Sequence, residues 1–183
     1  MKHPSFICLC AVGLLLSCGS KTATEQTTGT TDYDTEVASD GIQRMTVYDF
    51  TDTVRTEGKT YIYTVHREAS DSLPVITDED GNRYADNVYT LTIRSGEQTV
   101  FNRRFTKKTF LSYLSRDFQQ RGILDGMMCD KTLPGLRFAV SVSLPQSDMM
   151  EPLLMQVDTQ GGIVITRDER GDAELDIEDE DGV

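Results

Sequence analysis

The stretch 136–144, LRFAVSVSL, has the clearest period of two in the sequence. Large apolar residues occupy every second position, and small or polar residues stand between them. This alternation is typical of a β-strand with one face on a hydrophobic core and the other toward water. We therefore predict a strand here, and the fold depends on which other segments can pair with it.

Further segments have the β-branched and aromatic composition of strands. Downstream, two short apolar runs flank Gly161-Gly162 and predict a hairpin. Upstream, Glu57-Gly58 and the polar stretches 78–82 and 95–97 are typical of turns. The strands predicted around these turns are 45–50, 60–66, 74–76, 89–93, 99–105, 153–157 and 163–166.

The segment 107–122, KKTFLSYLSRDFQQRG, breaks the period of two. Phe110, Leu114 and Phe118 recur at the spacing of one face of a helix. Thr106 or Thr109 can cap the start, and Gly122 suits a left-handed residue just beyond the end. These features predict one amphipathic helix.

Short links between the predicted strands favour antiparallel pairing, because parallel neighbours need a long crossover. A helix with one apolar stripe has to cover an apolar face of a sheet. The sequence therefore predicts an α+β fold that is mainly β, with a curved antiparallel meander sheet of about seven strands and one helix packed on it. A small β-barrel plugged by the helix is the alternative.

The N-terminus has a cation at Lys2 and an apolar run at 6–16, FICLCAVGLLL. The run is too short to cross a bilayer, which takes about 20 apolar residues, and it is typical of a secretory signal. It ends in Leu-Leu-Ser-Cys-Gly, which resembles the lipobox of bacterial lipoproteins. The resemblance implies that 1–17 is a removable signal peptide and that Cys18 is lipidated. The alternative is an ordinary signal peptide with an incidental cysteine.

Composition divides the rest of the chain into three parts. The range 18–40 is polar and is predicted to be a flexible tether, and 41–168 is predicted to be a single β-rich domain. The range 169–183 is predicted to be an acidic disordered tail. Nine acidic residues and one arginine lie in 168–183, and they account for most of the net charge of −12. This charge disfavours nucleic acid as a partner.

The pieces 122–126, GILDG, and 143–148, SLPQSD, are the most specific parts of a pattern that covers roughly 45–168. This pattern resembles a family of small Bacteroidetes lipoproteins of unknown function. The resemblance implies a lipidated protein of the cell envelope and implies no activity. Surface lipoproteins of that phylum often carry acidic residues just after the lipidated cysteine, whereas 19–23 has none. We therefore expect a lipid anchor on the periplasmic face of the outer membrane.

Two groups of residues are candidate binding surfaces. The first is the connection between two predicted strands, where prolines bracket adaptable methionines at Pro145, Met149, Met150 and Pro152. For this first set, the alternative is a plain connection whose methionines fold back on the core. The second is a set of cations between phenylalanines at Arg103, Arg104, Lys107 and Lys108. For this second set, the alternative is a solvated strand end that leads into the helix.

The sequence offers weaker candidates for a metal site and for a catalytic thiol. Asp78, Asp80 and Asn82 have the spacing that begins a calcium loop, but Arg83 occupies the position of the required glycine. An acidic turn is therefore preferred to a calcium site. The histidine and cysteine that remain, His66 and Cys129, fall on different predicted elements, which disfavours a catalytic pair. We predict no cofactor.

The sequence thus favours a lipid-anchored protein of the cell envelope that acts as a non-enzymatic binding or structural module. Its expected partners are the membrane, through the anchor, and an envelope protein or glycan. A carboxylate-dependent hydrolase and a calcium-responsive module are the alternatives.

Overall fold

A computed structural model describes residues 35–170. These residues form twelve strands in three four-stranded sheets, together with two 3₁₀ turns and one short α-helix. Cys18 and residues 171–183 of the acidic tail lie outside the described residues. Within 35–170, no helix has the length and apolar character needed to cross a bilayer.

Sheet 1 is antiparallel and has the order β3-β4-β7-β8. Its first hairpin turns at Glu57 and Gly58, whose φ angles of 52° and 72° are those of the type I′ turn that suits the twist of a two-residue hairpin. The predicted turn at Glu57-Gly58 is therefore confirmed. The strands are β3 (Tyr48–Thr56), β4 (Lys59–Ala69), β7 (Asn87–Ser95) and β8 (Gln98–Phe105).

Sheet 2 is an antiparallel meander of the last four strands, in the order β12-β11-β10-β9. The predicted strand at 136–144 is confirmed as β10, which pairs on both sides. Sheets 1 and 2 share one hydrophobic core, in which the ring of Tyr63 meets the ring of Phe138 edge-on at 5.7 Å. The strands are β9 (Ile123–Cys129), β10 (Leu136–Ser143), β11 (Met150–Val157) and β12 (Ile163–Arg167).

Sheet 3 is small and has the order β1-β2-β6-β5. β2 and β6 are parallel and pair Ile42 with Arg83. Its side chains form a second, smaller core, to which β9 contributes Ile123. The strands are β1 (Thr35–Val37), β2 (Ile42–Met45), β5 (Ile76–Thr77) and β6 (Arg83–Tyr84).

The prediction of a single curved meander of about seven strands was wrong, because the strands are divided among three sheets. The alternative of a plugged barrel was also wrong, because none of the sheets within 35–170 closes on itself. Pairing between adjacent strands was predictable from short turns. The parallel pair that creates sheet 3 joins segments about 40 residues apart in the sequence, and no turn signal marks it.

The prediction of a single amphipathic helix over 107–122 was also wrong. The segment forms 3₁₀ turns at Lys107–Thr109 and Leu111–Tyr113, and then the six-residue helix α1 (Arg116–Arg121). Tertiary contacts interrupt the helix: the Ser115 N–H donates to the Glu151 carboxylate of β11 at 2.9 Å. The Gln119 amide donates to the carbonyls of Leu111 and Leu114 in place of helical N–H groups. The predicted apolar stripe is nevertheless buried, at Phe110, Leu114 and Phe118.

Gly122 is required for a different reason from the one predicted. Its φ of −73° is not left-handed. A Cβ at this position would lie 2.7 Å from both the Phe118 carbonyl oxygen and Val142 Cγ1. The glycine therefore allows α1 to end directly against β10.

A β-bulge at Asp125 interrupts β9. Leu124 lies opposite Val142 and Gly126 lies opposite Ser141, so Asp125 is the additional residue. The Ser141 hydroxyl donates to the Asp125 carboxylate at 2.8 Å. A Cβ on residue 126 would lie 2.1 Å from that hydroxyl oxygen, so any side chain here forces Ser141 out of its bond to Asp125.

Side chains from β7, the link before it and the link after β8 bond backbone groups of β9 and of Gly122 just before it. The Leu124 N–H donates to Asp86 at 2.9 Å, and the Asn87 amide donates to the Leu124 carbonyl at 2.8 Å. The Tyr89 hydroxyl donates to the carbonyl of Asp125, and the Lys107 ammonium donates to the carbonyl of Gly122, both at 2.5 Å.

Burial raises the pKa of Asp86 and lowers the pKa of Lys107. The charge of each group opposes the pKa shift of the other.

We expect Gly126→Ala to destabilise the protein by about 1–3 kcal/mol, because the new methyl group would overlap the Ser141 hydroxyl. Adding Ser141→Ala removes the overlapping oxygen and should recover part of the loss. Urea unfolding of the two single variants and the double variant measures both effects. Equal stability of Gly126→Ala and the wild type would contradict the close contact.

Asp86→Ala should lower the free energy of unfolding by about 2–4 kcal/mol, because it leaves the buried Leu124 N–H without a partner and Lys107 without a counter-charge. The Asp86 carboxylate accepts from the N–H groups of both Asn87 and Leu124, and Asp86→Asn retains an oxygen that can accept both bonds. We expect it to cost less than half as much in urea unfolding at neutral pH. Equal losses for the two variants would show that the bonds to backbone are not what Asp86 provides.

Candidate functional site

Two turns that are distant in the sequence meet beside the end of α1 and enclose a groove of about 260 Å³. One is the β5–β6 turn at 78–82, and the other is the β10–β11 turn at 144–149. We call this cavity the turn groove. Its lining residues are Asp78, Glu79, Asp80, Arg121, Leu144, Pro145, Gln146, Ser147 and Met149.

The β5–β6 turn is organised by the carboxylate of Asp78. One of its oxygens accepts from the N–H groups of Asp80 and Asn82, at 3.0 and 2.8 Å. The other accepts from the Asn82 amide and from the Tyr84 hydroxyl, at 2.9 and 3.0 Å. The hydrogen bond from Asn82 lowers the pKa of Asp78, so this carboxylate stays ionised.

The β10–β11 turn begins at Leu144, whose N–H donates to the Met149 carbonyl at 3.0 Å. Inside it, the Ser147 N–H donates to the Leu144 carbonyl at 3.3 Å, which closes a β-turn with Pro145 second and Gln146 third. Gln146 has a φ of 56°, a left-handed conformation that glycine adopts with less strain. The turn places Gln146 and Met149 on the surface.

Arg121 joins the two sides of the turn groove. Its guanidinium bonds Asp117 within α1, at 2.6 and 2.8 Å. It also bonds the Glu79 carboxylate of the β5–β6 turn, at 2.5 Å. These two carboxylates raise the pKa of Arg121, and they leave its positive charge already paired.

Residues 28–165 match the model of a protein family that is described as a domain of unknown function, DUF4738. The match spans most of the chain and contains both turns of the groove. The chain belongs to the DUF4738 family. No curated protein matches the sequence.

The DUF4738 fold brings together parts of two predicted sites. Asp78 and Asp80 of the calcium candidate lie in the same groove as Pro145 and Met149 of the proline-methionine connection. Asn82 is in the β5–β6 turn but does not line the groove. Met150 and Pro152 belong to β11, where Met150 is 57% exposed and Pro152 is half-buried.

The structure does not gather the four predicted cations into one surface patch. Lys107 is buried at the edge of β9. Arg103 donates to the Gly161 carbonyl of the β11–β12 turn and stacks over Phe101. Arg104 forms an ion pair with Glu68 of β4 at 3.4 Å, and Lys108 is exposed.

The groove has neither metal-binding nor acid-catalyst geometry. Among residues 35–170, no three His, Cys, Asp or Glu side chains are placed to hold a metal ion. The lowered pKa of Asp78 is opposite to the raised pKa of a catalytic acid. His66 and Cys129 lie on β4 and β9 in different sheets, and burial raises the pKa of the Cys129 thiol to about 11.

Sequence reasoning gave no functional role to five lining residues of the turn groove: Glu79, Arg121, Leu144, Gln146 and Ser147. Arg121 lies within the segment that was predicted to be a helix. Gln146 could have been noticed from the sequence. Pro145 favours the second position of a type II turn, whose third position usually holds glycine, and this chain has glutamine there instead. Nothing in the local sequence indicates that Arg121 reaches Glu79, because that contact depends on sheet 3.

A larger and shallower depression of about 540 Å³ lies on the outer side of sheet 2, lined in part by Leu133, Arg137, Leu154 and Arg167. It also includes 168–170, the last of the described residues, so its boundary on that side is open. The turn groove is lined entirely by described residues, so it is the better-defined candidate binding surface.

Proposed function

We propose that this protein is a lipid-anchored component of the bacterial cell envelope and that it binds another envelope component through the turn groove. The observation that carries the proposal is the convergence of two exposed turns on one groove with an apolar wall and an acidic rim. Loops held on a rigid β scaffold are common binding surfaces. The fold supplies this rigidity through the sheets that hold each turn.

The anchor is proposed from the N-terminal sequence. The apolar run followed by Ser17-Cys18-Gly19 resembles a lipobox, and it supports lipidation of Cys18. Two or three acyl chains hold a protein stably on a bilayer, whereas one gives marginal binding. The lack of acidic residues at 19–23 supports the periplasmic face of the outer membrane over the cell surface.

A binding role is better supported than a hydrolase. Hydrolysis by paired carboxylates requires one carboxyl group whose pKa is raised, so that it can donate a proton. In the turn groove, Asp78 is held ionised by its hydrogen bonds, and Glu79 is paired with Arg121. The groove carboxylates are therefore suited to hold positive charge rather than to transfer protons.

Cys18→Ala should abolish labelling of the full-length protein with radioactive palmitate and release it from the membrane fraction of a bacterial host. The reason is that the thiol is the site of acylation. Cys129→Ala is the matched control, because it removes a buried thiol and should leave labelling and fractionation unchanged. A Cys18→Ala protein that still sediments with membranes would refute the anchor.

A photoreactive amino acid placed at Met149 should crosslink the anchored protein to a reproducible envelope component. The same substitution at Thr53, an exposed residue of β3 outside the groove, is the control. We expect a defined product on a denaturing gel from position 149 and none of the same size from position 53. Identical products from both positions, or no product from position 149, would contradict the proposed binding surface.

A further inference from the structure

The turn groove combines an apolar wall with a negative rim. Leu144 is buried at its base, Pro145 is half-buried, and Met149 is 55% exposed. Exposed methionine side chains form adaptable contacts with the side chains of a partner. A ligand for this wall therefore needs an apolar group of its own.

The carboxylates that line the groove come from the β5–β6 turn, and the β10–β11 turn adds one acidic residue next to the lining. Glu79 and Asp80 are exposed on the β5–β6 turn, and Asp148 is exposed between two lining residues of the β10–β11 turn. Asp80 and Asp148 have no ion pair with any described residue. The lining cation, Arg121, already pairs with Asp117 and Glu79. Charge complementarity therefore favours a ligand that carries positive charge next to its apolar group.

Gln146 adds a polar group that can bind a peptide backbone. Its side chain is exposed at the groove and has no hydrogen bond to a described residue. A primary amide both donates and accepts, so it can pair with the C=O and N–H of an extended peptide. The left-handed backbone at Gln146 would be less strained with glycine, yet the chain carries an amide there.

We propose that the turn groove binds an extended basic segment of a partner protein, in which Lys or Arg stands beside an apolar residue. Asp80 and Asp148 face the basic side chain, Pro145 and Met149 contact the apolar one, and Gln146 bonds the peptide backbone. This inference rests on the proposed function and specifies the chemistry of the partner.

A random peptide library displayed on phage tests the inference without a known ligand. Selection on the purified protein should enrich sequences with Lys or Arg next to an apolar residue. Synthetic peptides of the enriched sequences are then titrated by fluorescence anisotropy. The proteins compared are wild type, Asp80→Lys, Gln146→Gly and Glu97→Lys.

Asp80→Lys should weaken binding by about tenfold or more, because it reverses a charge on the rim. Glu97→Lys makes the same charge change in the exposed β7–β8 turn and should have little effect. Gln146→Gly should weaken binding roughly fivefold, the value of one ordinary hydrogen bond, while the melting temperature is unchanged or higher. A general loss of folding cannot produce that combination.

Three outcomes would overturn the inference: no enriched peptide, enriched peptides without basic residues, or binding that Asp80→Lys and Glu97→Lys reduce equally. A binding loss from Gln146→Gly that is matched by a fall in melting temperature would overturn the role of Gln146. If these failures occur while position 149 still crosslinks to an envelope component, the groove binds a partner of different chemistry. If crosslinking also fails, the proposed function fails with the inference.

Discussion

The strand β9 lies at the edge of sheet 2 and its first residues are buried, so the N–H and C=O groups of Leu124 that face away from β10 have no strand to pair with. An unpaired buried backbone group costs about 1–3 kcal/mol. Asp86, Asn87 and Tyr89 bond backbone groups of β9 in place of a neighbouring strand, and Lys107 bonds the carbonyl of Gly122 just before it. Because these side chains come from β7, the link before it and the link after β8, the same bonds fasten sheet 1 to sheet 2.

This arrangement also positions the turn groove. α1 ends at Arg121, Gly122 fits against Phe118 and Val142, and β9 starts at the next residue. Ile123 then enters the small core of sheet 3 together with Ile76 and Tyr84. The two strands that carry the β5–β6 turn are therefore held against the start of β9, and Arg121 is brought within reach of Glu79. The groove depends on contacts of the core, although its lining residues lie at the surface.

The strands and turns that could be predicted are those where the alternation of apolar residues, or the turn residues, agree with pairing between neighbouring strands. β10 has an unbroken alternation, and the β3–β4 turn has the residues that a type I′ hairpin favours. β9 was not predicted because Ile123 and Leu124 are buried in different cores, and because the bulge at Asp125 shifts the alternation of the residues that follow it. The long helix was predicted but does not form, because the distant Glu151 binds the Ser115 N–H and the Gln119 side chain takes the Leu114 carbonyl within the segment. In the site, composition identified both turns, but only the parallel pair of β2 and β6 explains why they meet.

That parallel pair has a consequence for the order in which the molecule assembles. The β3–β4 and β7–β8 hairpins and the β9–β12 meander need only short loops to close, whereas pairing Ile42 with Arg83 requires the chain between them to be brought together first. Closing a long loop is entropically costly until intervening contacts exist, and distant pairings form slowly for this reason. Two short strands gain little free energy when they pair. Sheet 3 is therefore completed on a template that the larger sheets have already built. The chain would thus bury the core shared by sheets 1 and 2 before the turn groove takes its final shape.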